Sequence, residues 1–394
     1  MRCCSCGNTS FGEVIDLGPM PLVNNLLHAA DESCGRWPLK VVFCRACSLC
    51  QLTETPPPEA MFEEYLYFSS QSQTMVAHAG ELVRRHVRAG DRVIEVASND
   101  GYLLEQAQAI GATVLGIDPA RNVAAYANGR GVPTRCAYFS AETARAIAAE
   151  WGRCDALFAN NVLAHVPDPN EIAAGIREAL APHGTAHVEV PSLRRMIESV
   201  AFDTIYHEHR CYFSLSALHA LFSRHGLAIV GVRTEPIHGG SLHLELRHRS
   251  ASSDESAAQA MLADERAAGV FEDHFYANFA SRVAALRERL LATIDRYRSV
   301  AAYGAAAKGI VLLNYFGLDA SRVPFVADVS PHKQGRFVPG TRQEIVAPSV
   351  LVERKPDAAL LLPWNITDEI VRRNRAYLDG GGRFIVPIPE VTLV

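Results

Sequence analysis

No stretch of this chain approaches the roughly 20 consecutive apolar residues that span a bilayer. The opening Met1-Arg2-Cys3-Cys4 lacks the apolar core of an export signal. A membrane partner is therefore not expected, and a cytoplasmic location is. Basic excess is missing too: 38 Lys and Arg face 43 Asp and Glu, for a formal charge of −5 and a pI near 6.3. A protein that tracks phosphate backbones carries a basic stripe, so a nucleic-acid partner is not expected. Low-complexity tracts and repeats of solenoid period are likewise absent. With 48% hydrophobic and 21% charged residues, the chain has the apolar content a disordered one lacks. Its 394 residues call for two or three domains.

Isolated cysteines are few: Cys34, Cys136, Cys154 and Cys211 read as small hydrophobes. Six others stand in two tight groups, Cys3, Cys4, Cys6 and Cys44, Cys47, Cys50. In a reducing compartment clustered cysteines are metal ligands more often than disulfides. Cys3-x2-Cys6 and Cys44-x2-Cys47 are two CxxC pairs separated by 37 residues. Together they can enclose a tetrahedral zinc at Zn–S distances of about 2.3 Å. Cys4 and Cys50 stand close enough to substitute in that set. Four protein ligands leave no open position, so the zinc is read as structural, holding a module too small for its own core. That module, residues 1–58, carries the turn pairs Gly18-Pro19 and Met20-Pro21 and reads as a compact, irregular unit of short strands.

The glycine pattern G-x-G-x-x-G is missing as well. What stands in its place is Val93-Ile-Glu95-Val-Ala97-Ser-Asn99-Asp-Gly101-Tyr102: an apolar strand ending in an acid, a loop of small residues, then a helix. Such loops let a ligand approach backbone N–H groups. The next strand, Val114 to Asp118, ends in an acid 23 residues after Glu95, placed to accept hydrogen bonds from ribose hydroxyls. A tight turn with an N-capping Asp118 would look the same. A nicotinamide dinucleotide brings two phosphates to this turn and needs the missing glycines. S-adenosylmethionine brings none. Strand and helix signals alternate through residues 59–250: strands at 92–96, 113–117, 156–159 and 185–190, helices at 74–87, 101–108 and 120–128, and closing strands at 227–232 and 241–248. That order argues for a doubly wound α/β domain. Residues 251–394 read as a long helical region to about Arg298, broken near Gly269, followed by a second α/β unit. Its strand 299–303 leads into Gly304-Ala-Ala-Ala-Lys308-Gly309. The backbone N–H groups of that loop and one ammonium suit a diphosphate.

Taken together, the two CxxC pairs, Glu95 to Gly101, Asn161-Val-Leu-Ala-His165-Val-Pro-Asp168, Tyr206-His-Glu-His209, His238-Gly-Gly-Ser241, Gly304 to Gly309, Lys333-Gln-Gly335 and Trp364-Asn365 resemble the sugar C-methyltransferases of deoxysugar biosynthesis. These make branched sugars for macrolide and spirotetronate antibiotics. The resemblance covers nearly the whole chain. Ala97 departs from it, where the family has Gly, and so does Cys50, where it has an aliphatic residue. The resemblance implies an α/β architecture with a small N-terminal zinc module, a central Rossmann-like methyltransferase domain and a C-terminal Rossmann-like domain. It implies S-adenosylmethionine as cofactor and, as partner, a nucleotide-diphosphate 4-keto sugar methylated at carbon 3, bound between the last two domains. The sequence specifies no oligomeric state, with a monomer the working assumption.

That chemistry needs a base for the carbon-bound proton, a donor at the ketone oxygen and a sulfonium methyl in line. By match to the motif, His209 is the expected general base. Tyr206 is expected at the enolate oxygen, Glu208 as orienting or substrate-binding group, and His165 and Tyr67 in support. The expected cofactor contacts are Ala97, Asn99, Gly101, Tyr102, Asp118, Pro119, Tyr138, Phe139 and Asn161. Substrate contacts are expected from Lys308, Asn314, Lys333, Arg336, Asn365 and His238. Other classes stay open here: a C- or O-methyltransferase acting on a non-sugar metabolite, a nicotinamide-dependent oxidoreductase, and a zinc-ribbon nucleic-acid-binding protein.

Overall fold

A computed structural model describes residues 1–56, 68–250 and 254–394 of the chain. Tyr67 lies outside the described residues. The N-terminal strands β1 (Phe11–Pro21), β2 (Arg36–Cys44) and β3 (Cys50–Leu52) pair antiparallel. β3 is short and β1 irregular, as the turn pairs suggested, but β1 and β2 are longer than expected. Both pairs lie inside β1, an 11-residue strand. Its register against β2 slips between Asp16 and Pro19, where Gly18 takes φ +71. A bulge with a left-handed glycine lets the prolines follow without breaking the strand.

Helix Gln73–His86 opens the central unit, with the Ser72 hydroxyl accepting from the Met75 N–H as a side-chain cap. Then come β4 (Arg92–Val96), β5 (Thr113–Asp118), β6 (Thr134–Cys136), β7 (Cys154–Asn160) and β8 (Leu180–Pro191). All five run parallel in the order β6-β5-β4-β7-β8. Buried runs such as Val93-Ile-Glu-Val96 suit strands covered by helices on both faces. Asp168 caps helix Pro169–Ala179, with proline in its first turn. The short β9 (Cys211–Tyr212) leaves this unit and pairs with β3, completing the N-terminal sheet. Strands β10 (Leu227–Glu235) and β11 (Ser241–His248) form an antiparallel hairpin, and β11 closes on β8.

The helical region is cut into Ser256–Ala268, Asp273–Tyr276 and Phe279–Ile294, with Gly269 at φ +83 ending the first piece. Left-handed glycine at a helix C-terminus is the expected terminator. The last sheet runs β14 (Glu344–Val346), β13 (Phe325–Ala327), β12 (Val300–Tyr303), β15 (Ala358–Leu361), β16 (Arg383–Val386) and β17 (Thr392–Leu393). Its first five strands are parallel and β17 is antiparallel. One apolar core runs from the N-terminal strands through helix Phe279–Ile294 to this C-terminal sheet, with Val14, Phe43, Phe279, Leu286, Val326 and Leu360 among its members.

Candidate active site and metal centre

The thiols of Cys3 and Cys47 are 3.6 Å apart, as are those of Cys6 and Cys44. One sulfur from each of the four lies within 4.8 Å of the others. Around a tetrahedral zinc with bonds of about 2.3 Å, neighbouring sulfurs stand about 3.8 Å apart, so the cluster fits the ion. The other two cysteines face elsewhere. The Cys4 sulfur is 3.2 Å from that of Cys211. Cys50 is buried 3.7 Å from the Tyr276 hydroxyl, and burial pushes its thiol above the usual range.

The turn after β4 is held in an alternating left-handed shape: φ is +54 at Ala97, +50 at Asn99 and +82 at Gly101. The Asp118 carboxylate sustains it, accepting from the Asn99 N–H at 2.9 Å and the Ala120 N–H at 2.8 Å. Burial raises Asp118 against the pull of those two donors. The Asn99 side-chain oxygen accepts from the Ser69 and Asp100 N–H groups. Buried oxygens then converge at this end of the sheet. Glu95 Oε2, Ser98 Oγ, Asp100 Oδ1, Asn160 Oδ1 and Asn161 Oδ1 have no hydrogen-bond partner among the described residues. Buried acceptors are normally satisfied, so a polar ligand rich in donors fits here. The ammonium and ribose hydroxyls of S-adenosylmethionine are such donors. Asn161, at φ +57, gives its N–H to the Glu189 carbonyl. Of the other expected contacts, Pro119 and Tyr138 are exposed. Tyr102 and Phe139 are buried in two different core clusters.

The loop between the short turn Phe202–Thr204 and β9 carries Tyr206 to His209. His209 Nδ1 is 2.8 Å from the Thr204 carbonyl, so that nitrogen carries the proton and donates. The lone pair of Nε2 then faces the Tyr206 hydroxyl, which donates to it across 2.7 Å. The His165 ring lies edge-on to His209, with centroids 4.8 Å apart. Burial holds His165 down to about 4, so it is neutral at physiological pH. Glu208 is buried, and both its oxygens accept from the Asn24 side-chain amide at 2.7 and 2.6 Å. Burial lifts its carboxyl to about 7, against the lowering effect of that amide. His207 instead points at the N-terminal module, with Nε2 3.2 Å from the Trp37 carbonyl.

Ahead of that loop, the fully buried Asp203 accepts from the Trp364 indole N–H at 2.7 Å. Burial raises Asp203 to about 6, partly offset by the charge of Lys308. Lys308 Nζ donates to Asn365 Oδ1 at 2.8 Å and sits 4.7 Å over the Trp364 ring. Lys333 Nζ donates to the Ala305 carbonyl in the same Gly304–Gly309 loop. Arg336 and Asn314 do not join this group. Arg336 faces His28 of the N-terminal module, and the Asn314 amide bridges the Ile310 and Pro339 carbonyls. His238 stands in the short turn Ile237–Gly239. A groove of about 950 Å³ opens between the β10–β11 hairpin and the C-terminal sheet, lined in part by Arg195, Gly239, Gly240, Arg282, Trp364 and Asn365. Asn24, Asp203, Arg195 and Arg282 carry no sequence signal of their own. Trp364 does, since it adjoins Asn365 in one motif.

Comparisons with known proteins fit this arrangement. Residues 3–62 match a family described as a zinc binding domain, residues 68–232 a methyltransferase domain, and residues 236–389 a C-methyltransferase C-terminal domain. The chain is 39% identical over 405 aligned positions to C-methyltransferase NovU of Streptomyces niveus, covering 100% of this chain and 96% of that protein. Among solved structures, a SAM-dependent methyltransferase from Anabaena variabilis is similar at TM-score 0.38 and 14% identity, over 45% of this chain and 86% of that one. The PH0226 protein of Pyrococcus horikoshii gives 0.37 and 13%, over 46% and 95%. Neither structural likeness is strong enough to carry an argument about the site. The match to NovU along the full chain does carry one: this protein belongs to the family of S-adenosylmethionine-dependent C-methyltransferases that carry a zinc binding domain at the N-terminus.

Proposed function

We propose that the enzyme methylates carbon 3 of a nucleotide-linked 4-keto deoxysugar through an enolate, with His209 Nε2 as the base. The observation that carries this reading is the hydrogen bonding of His209, from which the proton on Nδ1 follows. Its Nδ1 proton is committed to the Thr204 carbonyl, which aims a neutral lone pair at a tyrosine hydroxyl. A carbon acid beside a ketone needs that combination, an acceptor for its proton and a donor for the oxygen that becomes negative. In this reading substrate binding turns the Tyr206 hydroxyl from His209 Nε2 to the ketone oxygen, so the freed lone pair takes the carbon-3 proton while Tyr206 donates to the enolate oxygen, and His165 and Glu208 line the sugar side. Tyr67 is kept in support by family resemblance alone. Ala97, Asn99, Gly101, Asp118 and Asn161 hold the cofactor, which supplies an electrophilic methyl when bound. Lys308 and Asn365, with Arg195 and Arg282 of the groove, meet the diphosphate.

The test uses the intact enzyme and a nucleotide-linked 4-keto-6-deoxysugar in deuterated water. The wild type should exchange the carbon-3 proton and transfer methyl. His209→Asn should lose both by about 10²–10⁴-fold while binding S-adenosylhomocysteine within about twofold of the wild type. Full exchange in the variant would remove His209 from the role of base. Failure of the wild type on every nucleotide sugar would move the reading to a non-sugar metabolite.

A further inference from the structure

A second cluster of ligating side chains lies on the helix-covered face of the central sheet. Strands β8 and β11 are antiparallel neighbours in which His187 opposes Glu245 and Glu189 opposes His243. Residues two apart on a strand share a face, so these four point the same way. Helix Gln73–His86 covers them and ends with His86 against His187, ring centroids 4.0 Å apart. One ligand atom each from His86, His187, His243 and Glu245 lies within 4.8 Å of the others. We propose that these four residues form a second metal site, for a divalent first-row transition ion of the zinc type.

Two observations converge on it. First, His187 Nδ1 and His243 Nε2 are 3.3 Å apart. Two nitrogens bound at about 2.0–2.1 Å to one tetrahedral ion stand about 3.3–3.4 Å apart. Second, His243 turns its other nitrogen, Nδ1, towards Glu189 Oε2 at 3.8 Å, and His78 Nε2 holds that same oxygen at 2.8 Å. At 3.8 Å the carboxylate acts on His243 by its charge and not by a hydrogen bond, favouring a proton on the far nitrogen and the near lone pair for the ion. The Phe158 ring, stacked on His187 with centroids 5.1 Å apart, forms one apolar wall.

The charges around the cluster also allow a cation. Glu235 faces Arg233 and Arg85, Glu245 faces Arg233, and Glu189 faces His78 there. Arg233 Nη2 is 3.3 Å from His86 Nε2, and Nη1 is 3.3 Å from Glu245. An incoming ion replaces both contacts, and Arg233 keeps Glu235 through Nε at 2.6 Å. Three imidazoles and a carboxylate suit zinc, cobalt or nickel. With four protein ligands the site is structural, pinning helix Gln73–His86 to β8 and β11.

The test is metal stoichiometry on the untagged full chain with its cysteine site loaded with zinc. Equilibration with zinc and desalting should leave two ions per chain. Cobalt added to the one-zinc protein should bind one equivalent. Its visible d–d bands should appear without the near-ultraviolet charge transfer of a thiolate ligand. His86→Gln with Glu245→Gln, both at partly exposed positions, should weaken that second ion at least tenfold and leave the first in place. A stoichiometry of one, a thiolate band, or unchanged affinity in the double variant would overturn the site. The wild-type spectrum decides even where the variant fails to fold.

Discussion

At the scale of single residues, Glu208 is the most exposed to test. It is a buried carboxyl raised to about 7 and fed two hydrogen bonds by one amide from another part of the chain. Hydrogen bonds to the charged form favour it, at about 1.5–3 kcal/mol for a charged partner. Asn24→Ala removes them, so the Glu208 limb of the pH–rate profile should move alkaline by about one unit at 1.36 kcal/mol per unit. Adding Glu208→Gln to that variant should abolish the limb. A limb that stays put would show that Asn24 does not set this ionisation. The stability sign follows the same logic. A carboxyl whose folded pKa is raised contributes fully below its unfolded value, and that contribution fades as pH rises through about 7. Asn24→Ala should therefore add a loss of stability on the alkaline side. The four-residue stretch Tyr206–His209 was legible because its chemistry is local in sequence. Asn24 and Asp203 were not, because their partners Glu208 and Trp364 lie 184 and 161 residues away, and an isolated Asn or Asp has no pattern.

At the scale of elements, the candidate cofactor turn after β4 is where local rules and the proposed function conflict. Left-handed backbone costs an L-residue about 1–2 kcal/mol, and Ala97 sits at φ +54. Ala97→Gly should thus raise stability by about 1 kcal/mol in urea unfolding, with S-adenosylhomocysteine affinity kept or improved. Gly101→Ala should do the reverse, losing about 1–2 kcal/mol. Its φ is +82, and a Cβ there would meet Val132 at 3.0 Å. A neutral Ala97→Gly would mean the turn is not strained at that residue. The periodic elements were the readable ones. Strands 92–96 and, to within one residue, 113–117 fall where the apolar runs put them, because buried parallel strands leave continuous hydrophobic segments. The short strands Thr134–Cys136 and Glu344–Val346, three residues each, are too brief to show a period. The length of β1 was hidden because proline and glycine signal turns, whereas here a bulge absorbs them.

At the scale of the whole molecule, the zinc module fastens the candidate site and is not an appendage. β3 pairs with β9, matching Cys50 to Tyr212 and Gln51 to Cys211. The Leu52 N–H donates to the Arg210 carbonyl, His207 reaches the Trp37 carbonyl, and Asn24 holds Glu208. The segment from Tyr206 to Tyr212 is thus fastened from the N-terminal side. The cofactor turn is fastened separately, by Asp118 of β5 and the backbone of the central sheet. Metal removal should separate these two functions. Small zinc modules owe much of their folding free energy to the ion, so chelation should loosen β1 to β3 and release the segment that carries His209. Methyl transfer should fall by at least about 10²-fold, in the range of lost general-base catalysis. S-adenosylhomocysteine affinity, measured by calorimetry on the same sample, should stay within about threefold. Readdition of zinc should restore turnover. Full activity in metal-free, folded protein would show that the segment needs no such fastening. A parallel loss of cofactor binding would show that the ion supports the whole chain and not this one contact.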